Sequence, residues 1–230
     1  MSLTLYQHPL SSFCQKVRVA FHESGVPFTA RLVNLGDAAD RAALAALWPM
    51  TKFPVLHDDV SGQSWPESSV IIELLAQRFE AAAPLLPADP AAALDVRLWD
   101  RVFDQYVQVP MQKVVADQFR AADQHDSVGV EQARALIVQA YALIEAQLGR
   151  SGGPWITGAA FTLADCAAVP ALFYATSIEP LTSPHTRLAD YFARLLQRPS
   201  VWRTLDEARP YLSMYPFHDK LVVLPDAWPG

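Results

Sequence analysis

The run Leu3-Thr4-Leu5-Tyr6-Gln7-His8-Pro9-Leu10-Ser11-Ser12-Phe13-Cys14-Gln15-Lys16-Val17-Arg18 changes period partway along, and that change sets the fold class. Leu3 to Tyr6 alternates in the two-residue rhythm of a strand. Phe13, Val17, Ala20, Phe21 and Ser24 then fall at offsets of four, seven, eight and eleven, one face of a helix that Gly25 can end. Further along, Phe28 to Val33 reads as a second strand and Arg41 to Leu47 as a short Ala/Leu-rich helix. Pro54 to His57 and Gln63 to Trp65 flank the turn Asp58-Asp59-Val60-Ser61-Gly62 and predict a hairpin, and Ser68 to Phe79 returns to a helical period. The predicted order is βαβαββα, an α/β unit over residues 1–83.

Pro84-Leu85-Leu86-Pro87-Ala88-Asp89-Pro90 cannot sustain a regular helix, because each proline lacks an N–H and restricts its predecessor. Residues 84–90 are therefore read as a linker. Beyond it strand patterns vanish, and amphipathic stretches at about 91–120, 130–148, 162–177, 185–197 and 199–209 predict an all-α bundle over residues 91–230. Pro110 and Pro170 fall inside two of these stretches, where a kink or local unwinding is expected. The segment after Met214, with Phe217 and Trp228, reads as an extended tail on the surface.

Composition narrows the function classes. Of 230 residues 51% are apolar and 18% charged, and 18 Lys and Arg against 24 Asp and Glu give a net charge of −6, so neither disorder nor a nucleic-acid partner is expected. No apolar run reaches the roughly 18 residues of a membrane span, and no basic and apolar leader opens the chain, so a cytoplasmic protein is expected. Cys14 and Cys166 are too few for a disulfide framework, and the six histidines lack metal-ligand spacing, so no metal is expected. His8 reads as a loop residue.

The chemistry concentrates at the first strand-to-helix junction. A helix N-terminus offers unpaired N–H groups and a partial positive charge, favourable to an anion, and Ser11 or Ser12 can either cap the helix or donate to that anion. Phe161-Thr162-Leu163-Ala164-Asp165-Cys166 forms a capping box, which explains Asp165 as a cap and Cys166 as packing.

Three motifs, in order along the first unit, give a family resemblance. Ser11-Ser12-Phe13-Cys14-Gln15-Lys16-Val17, Lys52-Phe53-Pro54-Val55-Leu56 and Trp65-Pro66-Glu67-Ser68-Ser69 together resemble the soluble glutathione S-transferases of the serine type, and the likeness runs through nearly the whole chain. It implies a thioredoxin-like N-terminal domain, an all-helical C-terminal domain, glutathione as co-substrate and a homodimer. It further implies that Ser11, on the loop with Phe13, donates to the glutathione sulfur, with Ser12 and Cys14 as alternatives for that contact. Lys52 would face the glycyl carboxylate, Phe53, before a cis Pro54, would pair with the cysteinyl backbone, and Glu67 and an N-capping Ser68 would hold the γ-glutamyl end. Leu10, Phe13, Tyr106, Val109 and Met111 are the expected lining of the second-substrate pocket. The implied activity is conjugation of the glutathione thiolate to a small apolar electrophile. Its alternatives are isomerase or dehalogenase chemistry at the same site, thiol-disulfide chemistry at Cys14, and a non-catalytic binding protein of the same fold.

Overall fold

A computed structural model describes residues 2–226. Trp228 and the end of the tail lie outside the described residues. The first half follows the predicted order: β1 (Leu3–Gln7), α1 (Ser12–Ser24), β2 (Thr29–Leu32), α2 (Ala38–Leu47), β3 (Val55–Asp58), β4 (Ser64–Pro66) and α3 (Ser68–Arg78). The four strands form one sheet in the order β2-β1-β3-β4, with β2 parallel to β1 and the others antiparallel. Gly25 ends α1 in the left-handed conformation, φ 67°, where its N–H bonds to the carbonyl of Phe21. Helix α2 starts earlier than its Ala/Leu pattern predicts, because the Asp37 carboxylate accepts from the N–H groups of Ala39 and Asp40, both at 2.9 Å.

Strand alternation splits the sheet's side chains between two unequal cores. Leu3, Leu5 and Leu56 join a large core that extends through α1 and α3 into the helical half. Val55, Val33 and Leu44 form a small separate cluster on the opposite face, where Tyr6, Trp48 and Phe53 pack against it.

The second half contains α4 (Pro90–Val102), α5 (Val109–Asp117), α6 (Ser127–Arg150), α7 (Leu163–Ala175), α8 (Thr186–Leu196) and α9 (Pro199–Asp206). Pro84 lies inside a short 3-10 helix, Glu80–Leu85, while Pro90 opens α4 rather than belonging to the connection: Asp89 caps the helix by accepting from Ala92 N–H at 2.9 Å, and a first-turn proline loses no helical bond. Between α4 and α5, Phe103–Gln108 adopts π-helical bonding directly ahead of Pro110. This is the local unwinding expected of a proline that cannot donate to the preceding turn. Pro170, in contrast, sits within α7 without ending it. A 3-10 turn, Arg209–Met214, follows α9, and within the tail expected to be extended His218–Lys220 forms a second one.

Every residue of α7 is buried. It forms the axis of the molecule, with α1, α4 and the π-helical stretch packed against it. The expected capping box starts this helix. Asp165 accepts from the N–H of Thr162 (2.9 Å), the N–H of Ile156 (3.1 Å) and the hydroxyl of Tyr191 (2.7 Å), so its burial, which pushes its pKa up, is offset by several donors.

Candidate functional site

The sheet register gathers three chain segments at one end. Antiparallel pairing sets Tyr6 opposite Val55 and Val55 opposite Pro66, so the chain continuing from β1 passes Phe53 and the chain leaving β4 emerges beside Pro54. The start of α1, the Lys52-Phe53-Pro54 turn and the start of α3 therefore border one groove. The Phe53–Pro54 bond is cis. Phe53 takes no part in the sheet ladder, whose registers at this end begin with Val55, so its backbone is placed as a free edge.

At α1 the two serines are in different situations. Ser11 is the N-cap, extended at φ −71° and ψ 122°, half-buried, with its Oγ accepting from Cys14 N–H at 3.4 Å, which leaves its own proton free to donate. Ser12 is buried, and its Oγ accepts from the Gln108 side chain at 2.6 Å and from Gln112 at 3.5 Å. Helix α1 is buried on nearly all sides over its first two turns, Cys14 to Phe21, and not only along the apolar stripe. Two of its buried polar residues, Gln15 and Lys16, bond across the domain boundary. Gln15 donates to Pro9 C=O (2.9 Å) and to the Tyr174 hydroxyl (2.7 Å), and that hydroxyl donates to Leu10 C=O at 2.8 Å, so α7 pins the loop carrying Ser11. Lys16 sits buried between Asp100 (2.5 Å) and Asp104 (2.7 Å) and donates to Ser69 at 2.9 Å, joining α1 and α3 to α4.

At α3 the sequence expectation is corrected by one position. Ser68 is the first helical residue, and the N-cap is Glu67, at φ 69° and without a side-chain cap bond. A non-glycine residue at that φ is strained, and strain of this kind concentrates at functional sites. With no cap, the first N–H groups of α3 keep their capacity for an anion.

Between these features and the helical half lies a cavity of about 530 Å³. Leu10, Ser11, Phe53 and Met111 line it, joined by Ser12, Gln112, Phe119, Tyr174 and Tyr215, none of which the sequence singled out for a pocket, and by His8. Tyr106 and Val109 do not. Both are exposed, because the π-helical stretch rotates them off the face that Met111 presents, and Val109 instead borders a separate shallow groove with Lys113 and Asp126. Phe13, Lys52, Pro54, Glu67 and Ser68 are also outside the lining: Lys52 and Glu67 are exposed along the groove, Pro54 and Ser68 are buried beneath it, and Phe13 is half-buried.

This arrangement matches known proteins over most of its length. Residues 5–83 match the family described as glutathione S-transferase, N-terminal domain, and residues 127–194 match glutathione S-transferase, C-terminal domain. The chain belongs to the glutathione S-transferase family. Its fold is accordingly that family's thioredoxin-like sheet domain followed by a helical domain. Among relatives of this transferase-family chain, a probable glutathione S-transferase from Coccidioides immitis is 28% identical over 76% of this chain and 80% of its own. A probable maleylacetoacetate isomerase from Caenorhabditis elegans is 26% identical over 79% and 82%. A glutathione S-transferase structure from Methylobacillus flagellatus with glutathione bound superposes with TM-score 0.80 at 28% identity, covering 88% of this chain and 98% of that one.

Within the transferase-family site the thiol alternatives are weakened by burial. Cys14 is completely enclosed, and desolvation pushes its pKa up to about 12, outweighing the nearby polar groups that act the other way, so its thiolate is scarce at neutral pH. Burial raises the Cys166 thiol as well. Among the described residues, no group of three or more His, Cys, Asp or Glu side chains assembles as a metal site, and no helix is long and apolar enough to cross a membrane.

Proposed function

We infer that this chain binds glutathione in the groove from Ser11 to Ser68 and conjugates its thiolate to a neutral, apolar electrophile held in the 530 Å³ cavity. The observation that carries the reading is that Ser11, with a proton free to donate, lines that cavity at the mouth of an anion-favouring helix terminus. In this reading Ser11 donates to the sulfur, and Phe53 pairs with the cysteinyl backbone as an added strand. Lys52 meets the glycyl carboxylate, and Glu67 with the uncapped start of α3 at Ser68 holds the γ-glutamyl end. Residues 1–83 supply the tripeptide site, residues 84–89 connect, and the helical half from Pro90 onward supplies the cavity's second wall through Met111 and its neighbours. The sulfur forms a bond to the electrophilic carbon as a leaving group departs with its electron pair or, in an addition, as the π pair of the attacked double bond shifts away, and the thiol proton goes to solvent.

Lowering a thiol pKa from about 8.5 to about 6.5 raises the thiolate fraction at pH 7 roughly 25-fold but costs roughly 8-fold in nucleophilicity. The net gain of about 3-fold leaves most of the rate to orientation of the electrophile against the sulfur. The lining includes no Lys, Arg, Asp or Glu among the described residues, which favours an uncharged electrophile over the anionic keto acid of an isomerase. We further propose that the chain is a homodimer through the face where Val70 of α3 and Leu94 and Leu98 of α4 are exposed side by side, next to the paired Glu73 and Arg97.

The test is conjugation of glutathione to benzyl chloride by the wild type, Ser11→Ala and Ser12→Ala. Loss of a single donor to the reacting anion predicts a fall of roughly 100-fold in kcat/KM for Ser11→Ala and a smaller one for Ser12→Ala. A Ser11→Ala variant with full activity would remove Ser11 from its role.

A further inference from the structure

His8 stands at the point where β1 runs into the cavity, and its ring is held on three sides. It stacks on Phe53 with centroids 6.4 Å apart and 23° between planes, and meets the ring of Tyr211 edge-on at 4.9 Å. Its Nδ1 accepts the N–H of Leu10 at 3.2 Å. A neutral imidazole has one acceptor and one donor nitrogen, so an occupied acceptor at Nδ1 places the proton on Nε2. Burial lowers the pKa of His8, with no neighbouring charge contributing, which keeps the ring neutral and the tautomer fixed at pH 7. Among the described residues no group bonds to Nε2, and His8 is one of the residues that line the cavity.

The other polar linings are less free or less fixed. Gln112 directs its amide at Ser12, and Asn34 is exposed, with its carbonyl oxygen accepting from Gly36 N–H at 2.9 Å. His8 is thus a preorganised, unpartnered donor in a largely apolar chamber, on the same wall as Ser11, whose N–H bonds to the His8 carbonyl at 2.9 Å. A fixed dipole in such a chamber is most effective where charge develops during a reaction.

The geometry points to His8 as a catalytic residue whose Nε2–H binds the carbonyl oxygen of a neutral α,β-unsaturated ketone and stabilises the negative charge formed there when the glutathione sulfur adds to the double bond. This rests on the conjugation reading above and assigns it a substrate class. The sulfur bonds to the β-carbon, the π pair of the double bond shifts toward the carbonyl, and the resulting enolate oxygen lies on Nε2–H. The α-carbon then takes one proton from water, balancing the one the thiol released to solvent. No oxidant or reductant is involved, and His8 keeps its proton throughout.

Two substitutions separate this role from a structural one. In His8→Asn the carboxamide oxygen stands where Nδ1 was and preserves the bond from Leu10 N–H, but no donor reaches the position of Nε2. In His8→Gln the longer amide brings an N–H to that position. The probes are benzylideneacetone, an unsaturated ketone, and benzyl chloride, whose displacement develops no oxyanion. The readout is the ratio of their kcat/KM values. The ratio should fall roughly 10- to 100-fold in His8→Asn and stay within about 3-fold of wild type in His8→Gln, in keeping with the loss and retention of one oxyanion donor. An unchanged ratio in His8→Asn, or an equal fall in both variants, overturns the assignment. So does a wild type that conjugates benzyl chloride but not benzylideneacetone, which leaves the conjugation reading standing. A wild type that conjugates neither overturns that reading and this assignment together.

Discussion

The two faces of the sheet are built to different depths. On one, Leu3, Leu5 and Leu56 pack under α1 and α3 into a core that continues through the fully buried α7. On the other, three buried residues, Val33, Leu44 and Val55, are all that α2 covers, and Leu44 is the only buried residue of that helix. Both faces meet at the site: α7 pins Leu10 through Tyr174, whereas Phe53 packs against the small cluster and the ring of His8. The difference teaches that the Ser11 side of the groove is held by the whole molecule, and the Phe53 side by a patch that can open locally. Regions with few buried apolar contacts are those expected to fluctuate at low cost.

The comparison breaks first at the core. Phe173→Ala in α7 should cost about 3–5 kcal/mol and lower the midpoint of a cooperative denaturant transition. Leu44→Ala should cost about 2 kcal/mol, with amide exchange rising in α2 and β2 while α7 stays protected, and equal acceleration in α7 would merge the two faces into one unit. Tyr174→Phe removes the hydroxyl shared by Gln15 and Leu10 and should cost about 1–2 kcal/mol, measured by the same denaturation.

A smaller effect reports on the far end of α1. His22 is pressed against α9, where Glu207 lies 3.0 Å from its Nε2 and also pairs with Arg18, while Arg203 and Arg18 bring positive charge. Burial, reinforced by those two cations, pulls its pKa down from 6.5 to about 3. The unfolded chain then binds a proton below about pH 6.5 that the folded chain refuses until about pH 3. Stability contributed by this neutral histidine is thus present above pH 6.5 and is lost as pH falls through that window. His22→Gln should flatten that part of the pH–stability curve, and an unaltered acid limb would show that His22 is not responsible.

Much of the first half was legible because its signals are local. The switch from strand to helix period before Phe13 and the Asp58–Gly62 turn, like the Thr162–Asp165 box in the second half, each lie within a few residues of their consequence. The earlier start of α2 was legible too, in Asp37, but the apolar pattern alone points further along. What the sequence hid is pairing at long range. Gln108 reaches Ser12 across 96 positions and Tyr174 reaches Leu10 across 164, and no period or spacing encodes such contacts. Lys16 reads as part of a motif, yet only packing reveals it as a buried cation between two aspartates. Tyr106 and Val109 fall outside the cavity's lining beside a π-helical stretch ahead of Pro110, a local change of helical period that the family resemblance did not carry.

The measurement that bears most directly on the account is a pH titration of the ultraviolet thiolate band of glutathione added to the protein, repeated with Ser11→Ala. The account predicts a thiol that ionises well below the free value of about 8.5 in the wild type and returns toward it in the variant. A bound thiol titrating at the free value in both proteins, or no glutathione bound at all, would contradict it.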